Sequence, residues 1–161
     1  MIMIIRSSRI DDFEQLIELE HLIWNYTNTP MPMAWDSIAD YAEHFPPGSQ
    51  FVAIEEGRVA GNMSVKYPTP LDCNRHVWEI AIGVHPDFQG KGVGSKLLQF
   101  LDEEGRKYGI RKISLRVLST NKPAISFYKK NGYREQGVLK KEFFLNGEYV
   151  DDILMYKELV D

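Results

Sequence analysis

Residues 77–84 read Val-Trp-Glu-Ile-Ala-Ile-Gly-Val, and their alternation constrains the fold more than any other stretch of the chain. A strand points successive side chains to opposite faces, so Trp78, Ile80, Ile82 and Val84 share one face and Val77, Glu79, Ala81 and Gly83 the other. The first set is large and apolar, as a core face must be. The second shrinks along the strand and carries one carboxylate. Pro86 cannot donate to a ladder and stops the strand. Three alternating glycines follow, Gly90, Gly92 and Gly94, and then Leu97, Leu98, Leu101 and Tyr108 mark a helix that Gly109 can terminate.

The segment Gln89, Gly90, Lys91, Gly92, Val93, Gly94, Ser95 thus lies between a strand end and a helix start. Free backbone N–H groups and the positive end of a helix dipole can hold a phosphate there, and glycine lets the backbone approach it closely. The same glycines also serve as a tight strand-to-helix turn with no ligand. Two other phosphate loops are excluded by spacing, since neither the nucleoside-triphosphate pattern nor the dinucleotide fingerprint has glycines at three alternating positions in mid-chain. A nucleotide-binding switch domain is disfavoured for that reason.

The rest of the chain supplies elements around this junction. The apolar N-terminus, Met1 to Ile5, is interrupted by Arg6 and reads as a first strand, too short for a signal or membrane segment. Ser8 or Asp11 can cap a helix with Phe13, Leu16, Ile17, Leu19, Leu22 and Ile23 at helical spacing, ending near Asn25. Residues 27–36 contain Pro30 and Pro32 and read as an irregular loop whose Met31, Met33 and Trp35, with Trp24 and Tyr26, either line an acceptor pocket or pack on the core. Residues 51–54 and 59–65 form a hairpin through Glu56 and Gly57. Residues 113–117 make a strand and 122–130 a short helix closed by Asn131 and Gly132. Residues 133–145 and 148–156 flank Asn146-Gly147, a two-residue hairpin turn. Antiparallel runs mixed with strand–helix–strand units predict an α/β (α+β layer) fold.

With 161 residues, no repeat and no linker-like stretch, one domain spanning 1–161 is expected. A net charge of −4 provides no field for nucleic acid or an anionic membrane. The single Cys73 cannot form an internal disulfide and has no zinc-ligand spacing around it, which fits a reducing cytoplasm and no metal. His21, His44, His76 and His85 show no ligand pairing and read as surface residues.

Two motifs together resemble the GNAT superfamily of acetyl-CoA-dependent N-acetyltransferases. Gln89, Gly92 and Gly94 match its pyrophosphate loop, preceded by the typical Val84-His85-Pro86. Asn121, Ala124, Tyr128, Lys130, Gly132 and Tyr133 match a second family segment about thirty residues on, so the close resemblance covers residues 77–133. It implies a mixed, mostly antiparallel sheet of about seven strands with helices on both faces and a splayed strand pair. It further implies that the pantetheine arm pairs with the backbone of Ile82, Gly83 and Val84, with room left by Ala81 and Gly83. Amides of Gln89, Gly90, Lys91, Gly92, Val93, Gly94 and Ser95 would hold the pyrophosphate, and Asn121 would bind the cofactor, cap the 122–130 helix, or do both.

The implied reaction is direct attack of a primary amine on acetyl-CoA in a ternary complex, the acceptor being a small amine, an amino acid or a peptide N-terminus. Tyr128 matches the family's acid for the leaving thiolate, against a packing role beside Phe127. Glu79 is the candidate base because it shares a strand face with the gap, against a plain surface carboxylate. A non-catalytic acyl-CoA-binding module is the competing class. The closing hairpin offers a surface for a homodimer without settling one.

Overall fold

The computed structural model describes residues 2–160, so Met1, counted into the first strand above, and Asp161 lie outside the described residues. Among the described residues, seven strands form one sheet: β1 (Met3–Ser7), β2 (Gln50–Glu55), β3 (Arg58–Lys66), β4 (Val77–Val84), β5 (Lys112–Leu118), β6 (Arg134–Leu145) and β7 (Glu148–Glu158). Their spatial order is β1-β2-β3-β4-β5-β7-β6. The pairs β1–β2, β2–β3, β5–β7 and β6–β7 are antiparallel, and β4–β5 is parallel. Four α-helices accompany them: α1 (Phe13–Ile23), α2 (Ile38–His44), α3 (Val93–Lys107) and α4 (Lys122–Lys130). This is the mixed, mostly antiparallel sheet that the sequence implies. Two compact units divide the chain: residues 1–23, 33–66 and 81–103 in the first, and residues 24–32, 67–80 and 104–161 in the second.

In the first unit the Glu56-Gly57 turn joins β2 to β3 with both residues left-handed, at φ 51° and 75°. That is the geometry whose twist matches the flanking strands. Phe13, Leu16 and Leu19 of α1 pack with Trp35, Tyr41, Val52 and Val59 in one core cluster. Ala53 and Ala60 pack with Phe88, Val93 and Leu97 in another. Within this unit α1 and α2 therefore cover one face of the sheet and α3 the other. Each fully buried Leu or Phe contributes about 1.5–3 kcal/mol of transfer free energy.

Two expectations about α1 are corrected. Neither Ser8 nor Asp11 caps it: the Ser8 hydroxyl accepts the Gly48 N–H at 3.1 Å, and Asp12 accepts the Arg9 N–H at 2.8 Å. Asp12 also takes two guanidinium bonds from Arg6, at 2.8 and 2.9 Å. The helix stops at Ile23, short of Asn25. The 27–36 segment is irregular as expected, but α2 follows it, begun by Ser37 accepting the Asp40 N–H at 3.0 Å. Proline-rich surroundings hid that short helix, although Ser-x-x-Asp is a start signal.

In the second unit β6 and β7 turn at Asn146 and Gly147, at φ 52° and 82°. Register shifts at Glu135/Gly137 and Leu139/Phe143 bend β6. Helix α4 ends at left-handed Gly132 (φ 92°), with the Tyr133 N–H returning to the Tyr128 carbonyl at 3.0 Å, so the orphan carbonyls at its end are satisfied.

Burial alone would raise the Asp12 pKa, yet the hydrogen bonds from Arg6 and the Arg9 N–H hold it below the ordinary carboxylate value. A depressed carboxylate stabilises the fold above its unfolded pKa and loses that contribution as pH falls through its folded one. Asp12→Asn should therefore lower unfolding free energy by about 1.5–3 kcal/mol at pH 7. In urea titrations the gap to wild type should close below about pH 3.9.

Candidate functional site

In the first unit, β4 runs through a single 3₁₀ turn, Pro86–Phe88, into the glycine loop. His85 holds that turn, its Nδ1 accepting the Asp87 N–H at 3.0 Å; half-buried, it is a cap and not the surface residue expected. Gln89, Gly90, Lys91 and Gly92 are exposed. Gly90 and Gly92 sit at φ 76° and 79°, with nothing near the places their Cβ atoms would take. Conformation, then, is what requires glycine here, since a side-chain residue is strained in this region.

Helix α3 begins at Val93, which places Val93, Gly94 and Ser95 in its first turn. The first helical bond runs from the Lys96 N–H to the Gly92 carbonyl at 3.1 Å. The N–H groups of Val93, Gly94 and Ser95 come before it and have no acceptor within the helix. They share the helix start with Lys91, whose ammonium lies 5.4 Å from the Phe88 ring. Donors, dipole and cation together suit an anion of diphosphate size.

Beneath this loop the backbones are tightly packed. A Cβ on Gly61 would lie 2.8 Å from the Gly83 carbonyl oxygen, 3.1 Å from Val93 and 3.2 Å from Leu97. Gly83, flanked by Ile82 and Val84, is buried, and a Cβ there would collide with Ile23 Cδ1. The room expected over Gly83 is thus filled by α1, because Ile23 is the last apolar residue of that helix and closes down on the small position. Ala81 alone of the pair is exposed. On the same side as Ile23, Asn62 donates to Glu20 at 3.1 Å and to Gln50 at 2.9 Å, and Gln50 donates to the Tyr41 hydroxyl at 2.7 Å. Burial pushes that hydroxyl above the ordinary phenol range.

In the second unit, β4 pairs with β5 over Val77–Glu79 and Lys112–Ser114, although the strands extend to Val84 and Leu118. Glu79 stands opposite Ser114 at the end of this short ladder and lines a pocket of about 320 Å³ with Asn74, Lys112, Arg116 and Gln136. Sequence reasoning missed these partners. Their signal was the alternation of Lys112, Ser114 and Arg116 with Ile113, Leu115 and Val117, which also describes a solvated strand face.

Asn121 caps α4, its Oδ1 accepting the Ala124 N–H at 3.4 Å, which leaves its amide donors for another acceptor. Tyr128 is buried, its ring 5.4 Å from Phe127 and 5.8 Å from Tyr133. Burial raises the pKa of its hydroxyl. Of the loop residues considered for an acceptor pocket, Trp35 belongs to the core beside Tyr41, while Tyr26 and Met31 are exposed.

Residues 13–133 match the profile of the Acetyltransferase (GNAT) family. An L-amino acid N-acetyltransferase of Escherichia coli K12 is 30% identical over 159 residues, covering 94% of this chain and 95% of its own. A solved protein of Streptococcus mutans UA159 superposes with a TM-score of 0.89 at 31% identity, over 98% of this chain and 99% of that one. A Salmonella typhimurium protein solved with its cofactor acetyl-CoA shares the fold, with a TM-score of 0.83 at 24% identity over 100% and 96% of the two chains.

Gly61→Ala tests the packing under the loop. The added methyl meets backbone as well as side chains, so the variant should unfold about 1–3 kcal/mol more easily in denaturant titrations. Gly90→Ala, with open space around it, should lose only about 1 kcal/mol to backbone strain.

Proposed function

The chain belongs to the acetyltransferase (GNAT) family, and from that premise we propose that it transfers an acetyl group from acetyl-CoA to a primary amine, residues 1–161 working as one transferase domain. The observation that carries this reading is the start of α3, where exposed, left-handed Gly90 and Gly92 precede three N–H groups with no helical acceptor. The single Cys73, free and exposed, fits a reducing compartment such as the cytoplasm.

Acetyl-CoA supplies an acetyl group already activated as a thioester. The chain's own residues do the rest. Backbone groups of Gln89, Gly90, Lys91, Gly92, Val93, Gly94 and Ser95 hold the diphosphate, and those of Ile82, Gly83 and Val84 bind the pantetheine amides. The Asn121 side chain caps α4 through its oxygen and donates its amide to the same arm. An amine with a pKa near 10.4 is mostly protonated at pH 7, and Glu79 takes its proton, directly or through water, before attack. A backbone N–H of β4 holds the carbonyl oxygen as negative charge builds on it.

Tyr128 donates to the departing sulfur. Because burial raises its pKa above the ordinary value of 10, the hydroxyl stays protonated throughout the neutral range and keeps a proton to donate. Full transfer to a thiolate with a reference pKa near 8.5 is uphill by at least about 2 kcal/mol. The hydroxyl therefore stabilises the thiolate by a hydrogen bond, and the proton moves late. A non-catalytic acyl-CoA-binding module has no use for such a donor.

Calorimetric titration should show acetyl-CoA binding, and a hundredfold excess over Kd should stabilise the fold by about 2.7 kcal/mol. Gly92→Val, a β-branched residue at a left-handed position, should abolish that gain. Well-folded wild type that binds no acetyl-CoA would refute the assignment, and binding without CoA release from any amine would favour the module.

Tyr128→Phe keeps the ring and removes the donor. With saturating substrates kcat should fall by about 10²-fold, while acetyl-CoA affinity changes by less than about threefold, since the bond matters chiefly as C–S breaks. Wild-type turnover in a rapid-quench measurement of the chemical step would reject the acid role.

A further inference from the structure

The pocket around Glu79 lies wholly in the second unit, and its lining is strongly asymmetric. Lys112 and Arg116 flank Ser114 on one face of β5, each about 7 Å from it along the strand, and Ser114 is the register partner of Glu79. Arg116 Nε bonds Asp152 Oδ2 at 2.6 Å; Asp152 is 3% exposed. A guanidinium has five donors, so one carboxylate partner leaves others for a ligand. The Lys112 ammonium lies 5.6 Å from the Tyr156 ring, and no carboxylate among the described residues pairs with it. One carboxylate thus faces two cations, of which only one is matched. Asn74, Gln136 and the Ser114 hydroxyl add neutral donors.

We propose that this pocket binds the acceptor of the transferase reading, on which the assignment rests, and that the acceptor is a free amino acid. Its amine lies against Glu79, and its carboxylate against Lys112 and Arg116. A simple amine would bring a third cation beside the two already present, occupy Glu79 and leave Lys112 without a counter-ion, and a polyamine would add still more positive charge. A peptide N-terminus places a neutral amide where the cations expect an anion. An amino acid carries both charges within a few bonds and satisfies both ends. The volume of about 320 Å³ is at the lower end for small-ligand sites and suits one residue better than a chain.

Calorimetry with the whole protein and saturating CoA would compare a panel of L-amino acids with their decarboxylated amines and their amides. The best amino acid should bind at least tenfold more tightly than its two counterparts. Lys112→Gln should cut that preference by about tenfold, the amino acid binding more weakly and the amine no more weakly than to wild type. Arg116→Gln combined with Asp152→Asn, which removes both charges of that ion pair together, should do the same. Equal binding of acids and amines by wild type, or a preference unchanged in both variants, would overturn the assignment, and Lys112→Gln decides it should the double variant fail to fold. CoA release with acetyl-CoA separates the two claims. Amino acids that bind but are never acetylated leave the pocket standing and remove the transferase reading. Amines acetylated in preference to amino acids do the reverse.

Discussion

Gly61 has no side chain, and the Gly83 carbonyl oxygen, Val93 and Leu97 stand around the place one would fill. Strand β3 lets the first turn of α3 settle against its backbone, and a close-packed interior then fixes where that turn points. The N–H groups of Val93, Gly94 and Ser95 are consequently held by the core and not by the loop before them. Gly90 and Gly92 only carry the chain through two left-handed positions without strain. Ile23 closes on Gly83 from the other face, so the end of β4 is gripped between a helix and a neighbouring strand. An anion site made of main chain needs such support, because backbone donors have no rotamers with which to correct a misplaced element.

Much of this frame was legible because it rests on local chemistry. Both two-residue hairpin turns, β4 with its Val77 and Val84 ends, and α4 from Lys122 to Lys130 follow from turn residues and periodicity alone. Caps were less legible. Ser8 and Asp11 were eligible, but the ion pair to Arg6 selects Asp12, and that partner lies on β1. The space over Gly83 was misread for a similar reason, since which helix side chain descends onto a small strand residue is a tertiary fact. The partners of Glu79 were hidden altogether. Lys112, Ser114 and Arg116 alternate with apolar residues just as an idle solvated strand would, and only the register with Glu79 shows a cavity.

In the transfer proposed above, Glu79 and Tyr128 need opposite protonation states. Taking a proton from an ammonium requires an ionised carboxylate, and Glu79 lines an open, polar pocket with cations beside it. Giving one to sulfur requires a neutral phenol, and Tyr128 is packed beside Phe127 and Tyr133 where burial raises its pKa. Neither residue type is unusual in itself.

The alternation along β4 also shows how one strand face can meet several different surroundings. Val77, Glu79, Ala81 and Gly83 share a face, yet their surroundings change along it: Glu79 meets the polar residues of β5, Ala81 is exposed, and Gly83 is buried under Ile23. Among the described residues the ladder with β5 runs over Val77–Glu79. The proposed reading asks the main chain at the end of β4 to hold the pantetheine arm, itself a chain of amides, as a sheet edge holds a peptide. Where the ladder stops, a side chain that can take a proton therefore gives way to main chain that can hold an amide.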